Sequence, residues 1–172
     1  MISLLEIYNK AIPSFKSDKG TAHDYIRIYE QFLAPYRETN NNILEIGLHT
    51  GHSIQMFAEY FHNAKTIYGI DINDIQVITS FKDKIDIRIA DATKEDTFAD
   101  ITNLDVVIDD GSHTLEDQVT TLKLLWPKLN NNGIYVIEDI QSPTQALSLF
   151  NRDEFLRALP GFFMDLRYSK ER

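Results

Sequence analysis

The chain has 172 residues, 43% hydrophobic and 25% charged, with 17 basic against 26 acidic side chains for a formal charge of −9. That length is one domain with room for a core, and the composition excludes a disordered or fibrous chain. The acidic balance argues against DNA, RNA or an anionic membrane surface as partner, and the absence of cysteine excludes disulfides, thiolate nucleophiles and Cys-built zinc sites.

The pattern alternates short Ile/Val-rich runs with helical periods, which predicts a doubly wound, mostly parallel α/β sheet with a helical lead. Helices are expected near Ser3–Ala11 and Ala22–Tyr36. The first strand, Asn42–Ile46, is followed by a helix over His52–Phe61 and a second strand over Thr66–Asp71. A weaker helix is expected at Asp74–Phe81, a third strand at Ile85–Ala90 and a short helix near Lys94–Ile101. The fourth strand is Asp105–Asp109. A long helix, Thr114–Leu129, follows it with Leu115, Val119, Leu122 and Leu125 or Trp126 on one stripe, and Asn130–Gly133 should close it by a left-handed turn. The fifth strand, Gly133–Glu138, precedes a helix near Thr144–Ala158, and Phe162–Tyr168 has the pattern of a sixth strand. The whole reads as a single domain over residues 1–172, with 1–41 as helical lead or lid and 42–172 as α/β core. No run reaches the roughly 20 apolar residues of a membrane span. Met1–Ile12, with Glu6 and Lys10 inside it, does not read as a signal peptide, so a cytoplasmic location is expected.

Ile43-Leu44-Glu45-Ile46-Gly47-Leu48-His49-Thr50-Gly51 places a strand, a glycine-bearing turn and a helix start in succession. Gly47 and Gly51 allow close backbone approach to a ligand, and the amides at the helix start can receive a carboxylate. Twenty residues beyond Gly51, Asp71 closes the second strand, where a carboxylate suits the hydroxyls of a ribose. Read conservatively, the two glycines only make a tight turn; taken together, the turn and the strand-end acids describe a nucleoside site. A dinucleotide site wants Gly-x-Gly-x-x-Gly, and His49 stands at its second glycine, so a pyrophosphate is not expected.

The fourth strand ends in Asp109-Asp110-Gly111-Ser112-His113 and the fifth in Glu138-Asp139. Neighbouring strand ends would crowd Asp109, Asp110, Glu138 and Asp139 together, and such acids need a raised pKa, a nearby base or a divalent cation. Hard oxygen ligands suit Mg²⁺ or Mn²⁺. His113, at the loop before the long helix, reads as a general base for an acceptor hydroxyl.

Glu45-x-Gly47-x-x-x-Gly51 resembles the class I methyltransferases, whose S-adenosylmethionine has no phosphate. Beyond it, Ser17-Asp18-Lys19-Gly20-Thr21-Ala22-His23-Asp24-Tyr25, Tyr68-Gly69-Ile70-Asp71, Val107–His113 and Tyr135–Asp139 resemble the metal-dependent macrocin- and mycinamicin-type sugar O-methyltransferases and the cephalosporin-hydroxylase-like group. The resemblance implies Asp110, Glu138 and Asp139 as magnesium ligands and His113 as catalytic base. It implies a donor site at Glu45, Gly47, Gly51, Ser53, Asp71, Asp91 (toward the adenine) and Asp109. It also implies that Lys19, with His23 and Tyr25, folds over the donor or acceptor. The expected activity is Mg²⁺-assisted O-methyl transfer from S-adenosylmethionine to a small polyhydroxylated acceptor, a sugar or glycosylated metabolite. The macrolide enzymes carry a large extra amino-terminal domain, and Met164–Arg172 resembles the start of their closing hairpin without its last strand. The sheet is therefore expected to have one strand fewer, or a neighbouring copy at that edge in a homo-oligomer. The competing readings are a non-catalytic module of the same fold and a nicotinamide-dependent oxidoreductase, which the missing middle glycine disfavours.

Overall fold

A computed structural model describes residues 2–11, 16–20 and 24–159. Five parallel strands form one sheet: β1 (Asn42–Ile46), β2 (Thr66–Asp71), β3 (Ile85–Ile89), β4 (Leu104–Asp109) and β5 (Leu129–Ile137), in the order β3-β2-β1-β4-β5. The order reverses at β1, so the crevice between the ends of β1 and β4 is the topological switch point of the sheet. This is the Rossmann-like arrangement that the alternating pattern predicts. The residues proposed as a sixth strand lie outside the described ones.

The central strands are apolar on both faces because helices cover both. On one face, Ile43, Ile67, Val106 and Ile108 pack against α1 (Leu4–Lys10), α2 (Tyr25–Leu33) and α3 (His52–Tyr60), with Phe57, Tyr60 and Phe61 fully buried. On the other, Leu44, Ile46, Ile70 and Val107 meet Phe98, Ile101 and Leu125, the last from α4 (Leu115–Leu125). Helix α1 opens with a capping box in which Ser3 and Glu6 satisfy each other's backbone amides. The lead thus lies on the same face as α3, and strand alternation also points Glu45 and Glu138 to that face, in phase with Ile43 and Val136.

Four expectations need correction. Asp74–Phe81 is not a helix but an irregular extended segment, in which Ile75, Val77 and Thr79 turn inward while Gln76, Ile78 and Ser80 are exposed. That is a period of two, the opposite of helical spacing. The helix expected near Lys94–Ile101 is a single 3₁₀ turn, Glu95–Phe98. Strand β5 starts at Leu129 rather than Gly133; Asn132 alone in the Asn run takes a positive φ, 67°, and the ladder to β4 is shifted there. The helix expected over Thr144–Ala158 is two, α5 (Pro143–Arg152) and α6 (Glu154–Arg157), because Asp153 leaves helical geometry to cap α6.

Candidate active site

The acids are held by a ladder that continues one residue past the strands. Asp110 N donates to Ile46 O at 2.9 Å, and Glu138 N donates to Asp109 O at 2.9 Å. Each acid is therefore fixed at the backbone before its side chain makes any contact. Gly47 has φ +80°, and a Cβ there would fall 2.0 Å from the carbonyl oxygen of Asp110. The turn after β1 and the acidic loop after β4 touch directly, and only glycine permits it. His113 at φ +60° and Asp139 at φ +50° are also left-handed. Non-glycine residues pay about 1–2 kcal/mol for that conformation, as His49, Asn103 and Asn132 do elsewhere in the chain.

At the centre stands Lys19, whose side chain is 1% exposed. Its Nζ lies 2.6 Å from Asp110 Oδ2, 2.6 Å from Glu138 Oε1 and 3.7 Å from Glu45 Oε1. Tyr29 donates its phenol proton to the same Glu138 oxygen, and Tyr25 donates to Asp139 Oδ1 at 2.7 Å. The lead therefore supplies a donor to each of the three predicted ligands. Sequence reading missed Tyr29, although Tyr25 and Tyr29 share one helix face at a spacing of four.

The electrostatics follow from burial. Desolvation would strip Lys19 of its proton, but the charges of Glu138, Glu45 and Asp110 outweigh it and hold the ammonium charged. Burial pushes Glu138 up to about 8 and Glu45 up to about 7, against the pull of Lys19 in both cases. Asp110 rises for the same reason. Neither oxygen of the buried Glu45 meets a donor in good hydrogen-bond geometry among the described residues, although the Ser53 hydroxyl and the Lys19 ammonium lie near enough to pull its pKa down.

These residues fit a divalent cation. Asp110, His113 and Asp139 each offer a ligand atom, all within 4.8 Å of one another and only partly buried. Glu138 sits behind them, its Oε1 taken by Lys19 and Tyr29. His113 Nδ1 is 3.9 Å from Asp110 Oδ1, beyond hydrogen-bond distance, and is buried without a partner.

Asp71 caps β2: its Oδ2 accepts Leu48 N at 2.8 Å and His49 N at 3.1 Å, and its Oδ1 accepts Asn73 N at 2.8 Å and Asn73 Nδ2 at 3.1 Å. All four acceptor positions of the carboxylate are filled. Gly51, at φ +75°, caps α3, and Ser53 is buried in its first turn. Asp91 lies in the exposed turn after β3 and accepts Thr93 N at 2.8 Å. Asp109 is not brought to the cluster: it faces the opposite side of the sheet, where Thr121 and Tyr135 donate to its Oδ2. His23 lies outside the described residues. Gln118 Nε2, which periodicity does not single out, donates to Glu138 O at 3.0 Å and ties α4 to the end of β5.

A cavity of about 580 Å³, lined by Tyr36, Lys65, Asn103, Asp105 and Asn130 among others, lies at the amino end of the strands instead. Its amides tie loop to loop, as when Asn130 Nδ2 meets Asp105 Oδ1 at 2.8 Å. It is at the far end of the sheet from the acids and is not where we place the chemistry.

Residues 44–140 match the family described as a methyltransferase domain. This chain belongs to that family. The matched span runs from β1 to just past Asp139 and so contains the whole strand-end cluster. The chain is 34% identical over 161 residues to the 8-demethyl-8-alpha-L-rhamnosyl tetracenomycin-C 2'-O-methyltransferase of Streptomyces olivaceus, covering 87% of this chain and 42% of the relative. It is 31% identical to the demethylmacrocin O-methyltransferase of Streptomyces fradiae, covering 70% of this chain and 33% of the relative. The MycE methyltransferase of mycinamycin biosynthesis, solved with Mg, SAH and mycinamycin VI, superposes with a TM-score of 0.69 at 28% identity, over 80% of this chain and 37% of that one. The chain thus spans between about a third and two-fifths of these relatives. Among the described residues, no helix is long and apolar enough to cross a membrane.

Proposed function

We propose that the chain is the catalytic domain of an S-adenosylmethionine-dependent, Mg²⁺-assisted O-methyltransferase acting in the cytoplasm on a hydroxyl of a small glycosylated metabolite. The observation that carries this reading is the meeting at the ends of β4 and β5, beside the Glu45–Gly47 turn, of Asp110 with Asp139 and His113 within 4.8 Å and of Asp110 with Glu138 through Lys19. The relatives named above support it, since they are sugar O-methyltransferases by name and one was solved with Mg and SAH. In this reading residues 1–41 form a cover over the acids, within one domain.

Asp110, Glu138 and Asp139 would hold the divalent ion, which as a Lewis acid makes the acceptor hydroxyl more acidic. His113 would take the hydroxyl proton on Nε2, with Nδ1 turned toward Asp110. The oxygen then attacks the donor's methyl carbon as the carbon–sulfur bond breaks, leaving neutral S-adenosylhomocysteine. Gly47 and Gly51 let the donor lie against the backbone between β1 and α3. Asp71 holds the Leu48–His49 loop in place and meets a ribose only by releasing Asn73. Positioning of donor and acceptor supplies most of the rate, because a sulfonium is already reactive.

The test is transfer of labelled methyl to a panel of glycosides with Mg²⁺. His113→Ala should retain S-adenosylhomocysteine binding and lose turnover, and chelation should abolish turnover in the wild type. Normal turnover by His113→Ala, or turnover indifferent to chelator, would refute the mechanism.

A further inference from the structure

One oxygen of each of two predicted ligands is already in use. Asp110 Oδ2 and Glu138 Oε1 both contact the Lys19 ammonium at 2.6 Å, and Tyr29 adds a second donor to the latter. Mg²⁺ binds oxygen at about 2.0–2.1 Å, so an ion held by both acids would sit beside a like-charged ammonium in a largely desolvated site. The two cations therefore compete for the pair.

Two features show what Lys19 does there. Without it, Glu45, Asp110 and Glu138 would face one another with no cation in salt-bridge contact among the described residues, apart from the partly exposed His113 at 3.9 Å. And Glu45 stands 3.7 Å from Nζ, fully buried, with neither oxygen in good hydrogen-bond geometry and only the Ser53 hydroxyl and the Lys19 ammonium near enough to favour its charge. A shift of about 1 Å would bring the ammonium into hydrogen-bond range of Glu45. The lysine sits on a short 3₁₀ turn, Asp18–Gly20, seated where a Cβ on Gly20 would strike the ring of Tyr8 at 2.5 Å. The turn is thereby set against α1, leaving the long side chain as the part that moves.

We propose that Lys19 is a built-in counter-cation that neutralises Asp110 and Glu138 in the metal-free protein and transfers to Glu45 when the divalent ion takes those acids. This rests on the reading that the cluster holds a metal. Glu45 is then a positioning residue that makes room for the ion without ligating it, and metal affinity reports a competition between two cations.

The experiment is calorimetric titration of Mn²⁺ into protein saturated with S-adenosylhomocysteine, for wild type, Lys19→Met, Glu45→Gln and the double variant. Removing the competitor should tighten Mn²⁺ binding tenfold or more. Removing the receiving carboxylate should weaken it tenfold or more in the wild type, but less than threefold in the Lys19→Met background, where no ammonium needs a place to go. A merely electrostatic Glu45 would cost the same in both backgrounds, and that result overturns the proposal, as does weaker or equal binding by Lys19→Met. If Lys19→Met does not fold, Lys19→Gln, which keeps a hydrogen-bond donor, takes its place. If neither folds, Glu45→Gln alone decides, and unchanged affinity refutes the transfer. Failure of the wild type to bind Mn²⁺ at all would remove the metal reading itself, whereas wild-type binding with no coupling between Lys19 and Glu45 removes only this inference.

Discussion

The contact between the turn after β1 and the loop after β4 can be tested by adding a single carbon. Gly47→Ala imposes two costs. An alanine at φ +80° pays about 1–2 kcal/mol for the left-handed conformation. Its Cβ also lies 2.0 Å from Asp110 O, 2.6 Å from Asp110 C and 2.9 Å from Gly111 Cα, all backbone atoms of a laddered loop that cannot rotate away. Overpacking of that kind costs a further 1–3 kcal/mol, so the total is about 2–5 kcal/mol of a typical 5–15. Gly51→Ala is the control. It has nearly the same φ, +75°, but its Cβ meets Ile75 Cγ2 at 3.0 Å and Val77 Cγ2 at 3.4 Å, side-chain atoms that can give way. It should lose only about 1–2 kcal/mol. Urea unfolding followed by circular dichroism would measure both, and the melting temperature of Gly47→Ala should fall by roughly 4–20 °C. Because the displaced atoms carry Asp110, Gly47→Ala should also weaken Mn²⁺ binding, while Gly51→Ala should not. Equal losses in the two variants, or intact metal affinity in Gly47→Ala, would show that the turn does not brace the acidic loop.

Other consequences follow from single contacts. Thr121→Val removes the hydroxyl that donates to buried Asp109 and leaves that carboxylate short of a partner; a loss of about 1–3 kcal/mol in urea unfolding is expected, and no loss would contradict the assignment. For Asp71, burial raises the pKa but is outweighed by the amides of Asn73, Leu48 and His49, so the folded value lies below that of an ordinary aspartate. Its stabilisation is therefore complete above the unfolded value and disappears as pH falls through the folded one. Asp71→Asn should lose stability at pH 6 and flatten the decline of melting temperature on the acid side; an unchanged acid limb would contradict the assignment.

What the sequence disclosed depends on how locally each feature is encoded. Strands β1 and β2 are legible to the residue because their runs are rich in Ile, with Glu45 the buried exception in β1, and end at glycine or aspartate. The start of α4 is legible because Thr114 accepts the Asp117 amide, a cap contained within four residues. Its buried face is not. Gln118 and Thr121 point inward because they satisfy Glu138 O and Asp109, and a hydrophobic period cannot register a polar side chain that is buried in order to make a bond. Strand β5 was shortened for a similar reason: Asn130 pairs with Asp105 rather than with a core, so its stretch reads as a turn. The segment after Asp71 misled because Ile75, Val77 and Ile78 fit a weak helix as well as an extended chain until their alternate burial is seen.

The acids of the site were readable as strand ends, since successive parallel strands bring such ends together. The role of Lys19 was not, because it comes from contacts 91 and 119 residues away in the chain. A buried lysine is rare enough that composition argues against it. Asp109 marks the same limit from the other side, since next to Asp110 in sequence it points to the opposite face of the sheet.

Whether the tips of β4 and β5 hold a divalent ion next to a bound adenosyl group can be read from crystals grown with Mn²⁺ and S-adenosylhomocysteine and measured at the manganese edge. One anomalous peak is expected, bounded by Asp110, Glu138 and Asp139, with the nucleoside along Gly47–Gly51. A peak elsewhere, or a nucleoside at the amino end of the sheet, would contradict that placement.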